Sequence, residues 1–215
     1  NTRILLRLVW VARFLWSCAI GWLVRLSRRA ARRGPRIWHG TFPMHMIRDM
    51  VDVDRRAGFV SASIVHHARL NTDYALVTPS DFDVVLEEQG HRWDILHWVT
   101  LCHLLRHADI FVMFFDTRFA ASTEPEKTGV ALSVLRWFGV RLIAMPNGLD
   151  VVFLDGRVSR FGFLQRLQMD YPEWRLASDA SVTWRSIQTI CRNVDFVVSA
   201  DSVCSRFLPR EDLRF

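Results

Sequence analysis

The sequence lacks the short motifs that would assign a common enzyme chemistry. It contains no GxGxxG dinucleotide fingerprint, no Walker A phosphate loop, no GxSxG nucleophile elbow and no HExxH pair. His103 and His107 stand four residues apart on a predicted helix, but no carboxylate or cysteine lies at an established ligand spacing, so we expect no metal site. Any chemistry must therefore be carried by residues that the fold brings together.

Cysteine and lysine are also scarce. The four cysteines are widely spaced and form no CxxC pair, which fits a reduced, cytosolic compartment in which they act as small hydrophobic side chains. Lys127 is the only lysine, and we attach no functional meaning to that. There is no internal repeat and no low-complexity segment.

What the sequence has in abundance is material for a core. Half of the 215 residues are hydrophobic, with nine Trp and fifteen Phe, so a folded domain is expected. The net charge of +6 is concentrated in an arginine cluster near the start, with mixed charges afterwards. This distribution favours a local anionic partner and gives no indication of nucleic-acid binding.

Residues 4–26 are almost wholly apolar but are interrupted by Arg7, Arg13 and Arg25, which a bilayer-spanning helix would have to bury or snorkel. At about 100° per residue, the arginines, Ser17 and Gly21 fall within an arc of roughly 140°, and the apolar side chains Leu5, Leu8, Trp16, Ala19 and Leu23 lie opposite. The pattern predicts an amphipathic N-terminal helix lying in a membrane interface. A tilted span, or packing on the domain as an ordinary core element, are the alternatives.

An arginine cluster continues from this N-terminal helix, and its members are the predicted membrane-binding residues: Arg25, Arg28, Arg29, Arg32 and Arg33. Each such charge adds about 1 kcal/mol of attraction to an anionic leaflet. We therefore expect a cytoplasmic protein that is peripheral or monotopic on the inner membrane. Gly34 and Pro35 break the helix, which divides the chain into a membrane-associating segment (1–35) and a globular domain (36–215).

The globular domain alternates between strand and helix patterns. This alternation predicts an α/β fold with a Rossmann-like, doubly wound parallel sheet. Strands are predicted at 36–39, 59–66, 110–115, 140–145 and 196–199, with shorter extended pieces at 74–77 and 82–86, and helices at 44–57, 92–107, 127–138 and 181–193.

Polar residues and glycines follow several of these strands: His39, Gly40, Thr41, Asp116, Asn147, Gly148 and Asp150. In doubly wound sheets, ligands bind in the crevice beyond the carboxyl ends of the strands. We predict that His39 and Asp150 are catalytic, as a general base and as an acceptor of a hydroxyl proton, and that the other five bind substrate. A structural role for either is open, because a strand-ending turn also uses such residues.

Several segments together carry a family resemblance: IWHGTFP, DIFVMFF ending in Asp116, GVRLIAMPNGLDV, DYPEW and NVDFVVSADSVCSRFLPREDL. In combination, over residues 36–215, they resemble the N-terminal half of bacterial glycosyltransferases of the GT-B fold, in the group similar to family 4. Where such enzymes commonly have a histidine before the G-x-D turn, this chain has Pro146 and Asn147.

The resemblance implies an acceptor-binding domain, one half of a GT-B fold. A C-terminal donor domain, which would hold the nucleotide sugar, would begin after Phe215. The 215-residue chain alone is then expected to bind no cofactor and to be inactive, whereas its parent would transfer a hexosyl group to a lipid-linked or polysaccharide acceptor at the membrane.

Two other functions stay open. One is a non-catalytic, membrane-anchored α/β module that binds a glycan or a partner protein. The other is a small-molecule enzyme on a flavodoxin-like sheet, which is disfavoured because no phosphate loop or cofactor fingerprint is present.

Overall fold

The computed structural model describes residues 9, 12, 15, 16, 19–24, 27, 34–41, 45–66, 78–86, 96–115, 125–146 and 180–199. Strands and helices alternate along these residues, as the sequence predicts. In chain order they are β1 (Arg36–Thr41), α1 (His45–Arg56), β2 (Val60–Val65), a 3-10 turn (Pro79–Asp81), β3 (Val84–Val85), α2 (Leu96–His107), β4 (Ile110–Phe114), α3 (Pro125–Trp137), β5 (Arg141–Met145), α4 (Ala180–Asn193) and β6 (Phe196–Val197).

The six strands form one parallel sheet in the order β3-β2-β1-β4-β5-β6. The chain winds outward from β1 to β3, then crosses back and continues from β4 to β6 on the other side. The topological switch point therefore lies between β1 and β4, which pair in register from Ile37 opposite Ile110 to Gly40 opposite Met113. The predicted Rossmann-like, doubly wound parallel sheet is confirmed.

Apolar cores lie on both faces of the sheet, because strand side chains alternate between the faces. The larger core packs α2, α3 and α4 on strand residues such as Phe111, Met113 and Leu142, all nearly inaccessible to solvent. The smaller core lies under α1, where Ile47 meets Val65 and neighbouring apolar side chains. Both faces are covered, which accounts for the continuous apolar runs of the strands.

A glycine follows each of two helices, α1 and α3. Gly58 follows α1 and Gly139 follows α3, with φ of 88° and 80°. This left-handed conformation is favourable only for residues without a Cβ, so it allows each helix to stop and the chain to turn into β2 or β5.

Three predicted strands need corrected bounds, and one of them is β6, which spans only Phe196–Val197 of the predicted 196–199. β1 continues through Gly40 to Thr41, two residues beyond its predicted end at His39. Of the extended piece predicted at 82–86, only Val84–Val85 pairs in the sheet, and a 3-10 turn at Pro79–Asp81 precedes it. The extended piece predicted at 74–77 lies outside the described residues.

The N-terminal helix is helical at every position that the structure describes between residues 9 and 27. Its Gly21 is buried, and a Cβ added there would lie 3.0–3.2 Å from ring atoms of Phe138, directly after α3. The helix therefore packs on the domain near the amino end of β5. Within the described part of the chain, no helix has the length and apolar character required to cross a membrane.

Candidate functional site

The candidate site is the carboxyl edge of the sheet at the switch point. Gly40 and Thr41 lie there at the end of β1, beside the end of β4, so two of the predicted substrate-binding residues are at the expected edge. The other predicted crevice residues, Asp116, Asn147, Gly148 and Asp150, lie outside the described residues, as do the predicted membrane-binding arginines. Their roles stay predictions. In sequence, Asp116 follows the end of β4, and Asn147, Gly148 and Asp150 follow the end of β5.

Gly40 is required by the neighbouring strand. A Cβ at this position would collide with the carbonyl oxygen of Ile64 in β2, its register partner, and would lie 3.2 Å from the Ile64 Cγ2. The sequence analysis placed Gly40 among the substrate-binding residues, where a glycine would let a ligand approach the backbone closely. The close approach that the structure describes is between two strands, and a ligand contact stays a prediction.

Thr41 meets a residue that the sequence analysis did not nominate. Its carbonyl oxygen accepts a hydrogen bond from the backbone N–H of His66, 3.3 Å away, just after β2. The His66 imidazole is buried, and its Nε2 lies 2.9 Å from the hydroxyl of Thr100 in α2. Because that hydroxyl donates to the Leu96 carbonyl, it can accept a hydrogen from Nε2. His66 thus joins the candidate site at the rim of the sheet.

His39, the predicted general base, lies under α1. It is the fourth of six residues in β1, its side chain is 3% exposed, and its Nε2 is 2.7 Å from the Asp54 carboxylate. Burial lowers the pKa of His39 by more than the hydrogen bond and charge of Asp54 raise it. The imidazole is therefore neutral near pH 7, with the proton on Nε2 donated to Asp54.

This tautomer determines what His39 can do chemically. Nδ1 carries the lone pair, is buried, and has no hydrogen-bond partner among the described residues. An acidic group that reached Nδ1 could transfer a proton to it, and the Asp54 carboxylate would stabilise the resulting imidazolium. His39 can therefore act as a base, but its imidazole lies beneath α1. Its catalytic role stays a prediction.

A second carboxylate anchors the same face of the sheet. Asp83 accepts hydrogen bonds from the backbone N–H and the hydroxyl of Ser63 at 2.8 and 2.9 Å, and from Arg55 Nη2 at 2.6 Å. Burial raises the pKa of Asp83, but the hydrogen bonds and the charge of Arg55 outweigh it, so the pKa is lowered. Arg55 also donates to the Ser61 carbonyl, which ties α1 to β2.

His103 and His107 form an aromatic cluster with Trp38 on the opposite face of the sheet. The ring centroid of His103 lies 4.5 Å from the ring centroid of Trp38 and 4.5 Å from that of His107. Burial, together with the charges of His107 and Arg106, lowers the pKa of His103 to about 4. In the described ranges, no three His, Cys, Asp or Glu residues are grouped as metal ligands would be.

The fold and the position of this edge define a Rossmann-like α/β protein with a candidate ligand crevice at its switch point. No protein-family model, no curated protein and no solved structure matches the chain. The function must therefore be argued from the chain's own residues.

Proposed function

We propose that the chain is the acceptor-binding domain of a membrane-associated glycosyltransferase, with the acceptor bound in the crevice between β1 and β4. One observation carries the proposal: the sheet reverses its winding between these two strands, so their carboxyl ends open a crevice there. Two of the quoted segments that resemble glycosyltransferases, IWHGTFP and DIFVMFF, include residues of β1 and β4, the strands that border this crevice. A crevice alone is compatible with many ligands, and the motifs supply the chemistry.

Sugar acceptors are recognised through hydroxyl groups, which need both donors and acceptors of hydrogen bonds. Asp116 directly follows the strand β4 region, and Asn147, Gly148 and Asp150 follow β5 and Pro146. Since β4 and β5 are adjacent and parallel, residues that follow them emerge at one edge. In this proposal Asp116 and Asn147 bind acceptor hydroxyls.

Asp150 is the residue proposed to take the proton from the attacking acceptor hydroxyl. The acceptor oxygen then bonds to the anomeric carbon of the donor sugar, and the bond to the nucleotide diphosphate breaks, with the diphosphate leaving as the anion. The nucleotide-sugar donor belongs to a second, donor-binding domain of the complete enzyme. His39, neutral and held by Asp54, is the second candidate base.

The alternative is a non-catalytic α/β module that binds a glycan or a partner protein. The position of His39 favours it, because the imidazole is 3% exposed and lies under α1, two residues before the end of β1. A module that only binds would use the same crevice without a base. The transferase and the binding module are therefore expected to differ in turnover but to bind their ligand at the same place.

The test compares variants of the complete protein for transfer of radiolabelled sugar to a membrane glycan extract, with UDP-glucose, UDP-N-acetylglucosamine and GDP-mannose as donors. Asp150→Asn should lower kcat by roughly 10²- to 10⁴-fold, the contribution of a general base. Asp49→Asn is the control, since the Asp49 side chain is 66% exposed on α1. Unchanged turnover in Asp150→Asn would reject its role, and no transfer from any donor would favour the binding module.

A further inference from the structure

The N-terminal helix carries its apolar face outward. At about 100° per residue, its exposed residues fall within an arc of roughly 140°. That arc holds Val9, Ala12, Leu15, Trp16, Ala19, Trp22, Leu23 and Ser27, each of which is exposed. Gly21 lies on the opposite side and is the residue that contacts Phe138.

This orientation is the reverse of what a helix on a water-soluble domain adopts, because such a helix buries its apolar stripe against the core. Here Leu15, Trp16, Trp22 and Leu23 are 60%, 68%, 59% and 61% exposed. A contiguous apolar surface of this kind marks an interaction site.

The globular domain adds a further tryptophan beside the contact. Trp137, the last residue of α3, is 73% exposed, and its ring centroid lies 5.7 Å from that of Phe138. Arginine flanks it, since Arg136 and Arg141 both lie 3.5 Å from the single carboxylate of Asp195. Two guanidinium groups share this one carboxylate, which leaves a positive charge beside Trp137.

We infer that the outward face of the N-terminal helix and Trp137 together form one docking surface for an anionic lipid bilayer. Tryptophan is enriched at the membrane interface, where its ring is apolar and its N–H stays hydrated. Arg136 and Arg141, the basic residues near Trp137, complement anionic headgroups. The inference rests on the membrane association in the proposed function but not on sugar transfer.

The docking surface lies at the end of the domain opposite the crevice. Trp137 and Phe138 immediately precede β5 and so mark the amino edge of the sheet, whereas the crevice is at the carboxyl edge. A strand of six residues, such as β1, is about 20 Å long. On a bilayer, the crevice would therefore open toward the cytoplasm, away from the leaflet.

Flotation of the chain with vesicles tests the surface. Vesicles of phosphatidylcholine alone are compared with vesicles containing phosphatidylglycerol, and partition constants are measured for Trp137→Ala, for the double variant Trp16→Ala/Trp22→Ala, and for Val198→Ala. Val198 is the control, because it is 47% exposed but follows β6, at the carboxyl edge of the sheet. Circular dichroism verifies that each variant is folded.

We expect binding to the anionic vesicles, weakened by salt, with a loss of roughly tenfold or more in the double variant and of a few-fold in Trp137→Ala. Val198→Ala should bind like the unmodified chain. Asp150→Asn should also bind unchanged, so that failure of the sugar-transfer proposal would leave this result intact.

Three results would overturn the inference. The first is no binding of the unmodified chain to anionic vesicles. The second is equal binding of Trp137→Ala and Val198→Ala, which would remove the globular domain from the surface. The third is a dimer in sedimentation equilibrium that the double variant abolishes, which would assign the apolar face to a second copy of the chain.

Discussion

The imidazole Nε2 of His39 in β1 and the carboxylate of Asp54 in α1 lie 2.7 Å apart, across the interface between the sheet and its helix. The same Asp54 oxygen also accepts a hydrogen bond from the Ser61 hydroxyl of β2, at 2.9 Å. One carboxylate thereby satisfies two donors from adjacent strands and fixes α1 over both. Removing it would leave a buried imidazole N–H without a partner.

Asp54→Ala should therefore destabilise the fold by about 1–3 kcal/mol, the usual cost of a buried donor left unsatisfied. Urea unfolding followed by circular dichroism measures this change. Asp49→Ala, on the same helix but exposed, should stay within about 0.5 kcal/mol of the unmodified chain. Equal effects of the two substitutions would contradict the structural role assigned to Asp54.

Gly40→Ala separates the two explanations of that glycine. Because the added Cβ would collide with the Ile64 carbonyl, we expect β1 and β2 to be forced apart at a cost of about 2–4 kcal/mol without any ligand present. Gly34→Ala is the control, since no atom lies within 4 Å of a Cβ there. If Gly40→Ala keeps its stability and loses only acceptor binding, the ligand explanation is the correct one.

The buried histidines predict how stability changes with pH. The pKa of His103 is about 4 in the folded protein, against 6.5 for an unperturbed histidine, so the unfolded chain binds its proton first. Stability should be complete above pH 6.5 and fall as the pH drops toward 4. The lowered pKa of His39 acts in the same direction.

Urea unfolding at several pH values between 7.5 and 4.5 measures this slope. His103→Gln should reduce the slope, whereas Arg106→Gln should raise the His103 pKa toward 6.5, because the Arg106 charge helps to lower it. NMR titration of the His103 ring reads that pKa directly. An unchanged slope in His103→Gln would mean that the group titrates normally in the fold.

The strands and helices were predictable because their signals are local. Runs such as IFVMF form β4, and Gly58 and Gly139 stop helices at the expected residues. The parallel sheet followed from the alternation of elements. Its strand order did not, because which strands become neighbours depends on long-range packing that no local pattern encodes.

The placement of His39 was missed because β1 is two residues longer than predicted. With β1 ending at Thr41, the alternation of side chains directs His39 to the α1 face instead of the sheet edge. A signal was present in α1: Asp54 follows the buried residues Ile47 and Val51 at the i+7 and i+3 positions. A carboxylate on the buried stripe of a helix requires a buried partner. His66, at the end of the predicted second strand, also met the strand-end criterion.

If the docking surface and the crevice lie at opposite edges of the sheet, a lipid-anchored acceptor must extend from the leaflet to the crevice. The length of acceptor that this requires can be measured. A crevice about 20 Å from the leaflet is out of range for a single sugar on a lipid carrier but accessible to a chain of several sugars. With the complete enzyme on anionic vesicles, we expect transfer to a lipid-anchored oligosaccharide to exceed transfer to a lipid-anchored monosaccharide. The same two acceptors, freed from their lipid anchors and offered in solution, are the control and should differ much less. Equal transfer to both anchored acceptors would place the crevice at the leaflet and contradict the orientation inferred from Gly21 and Phe138.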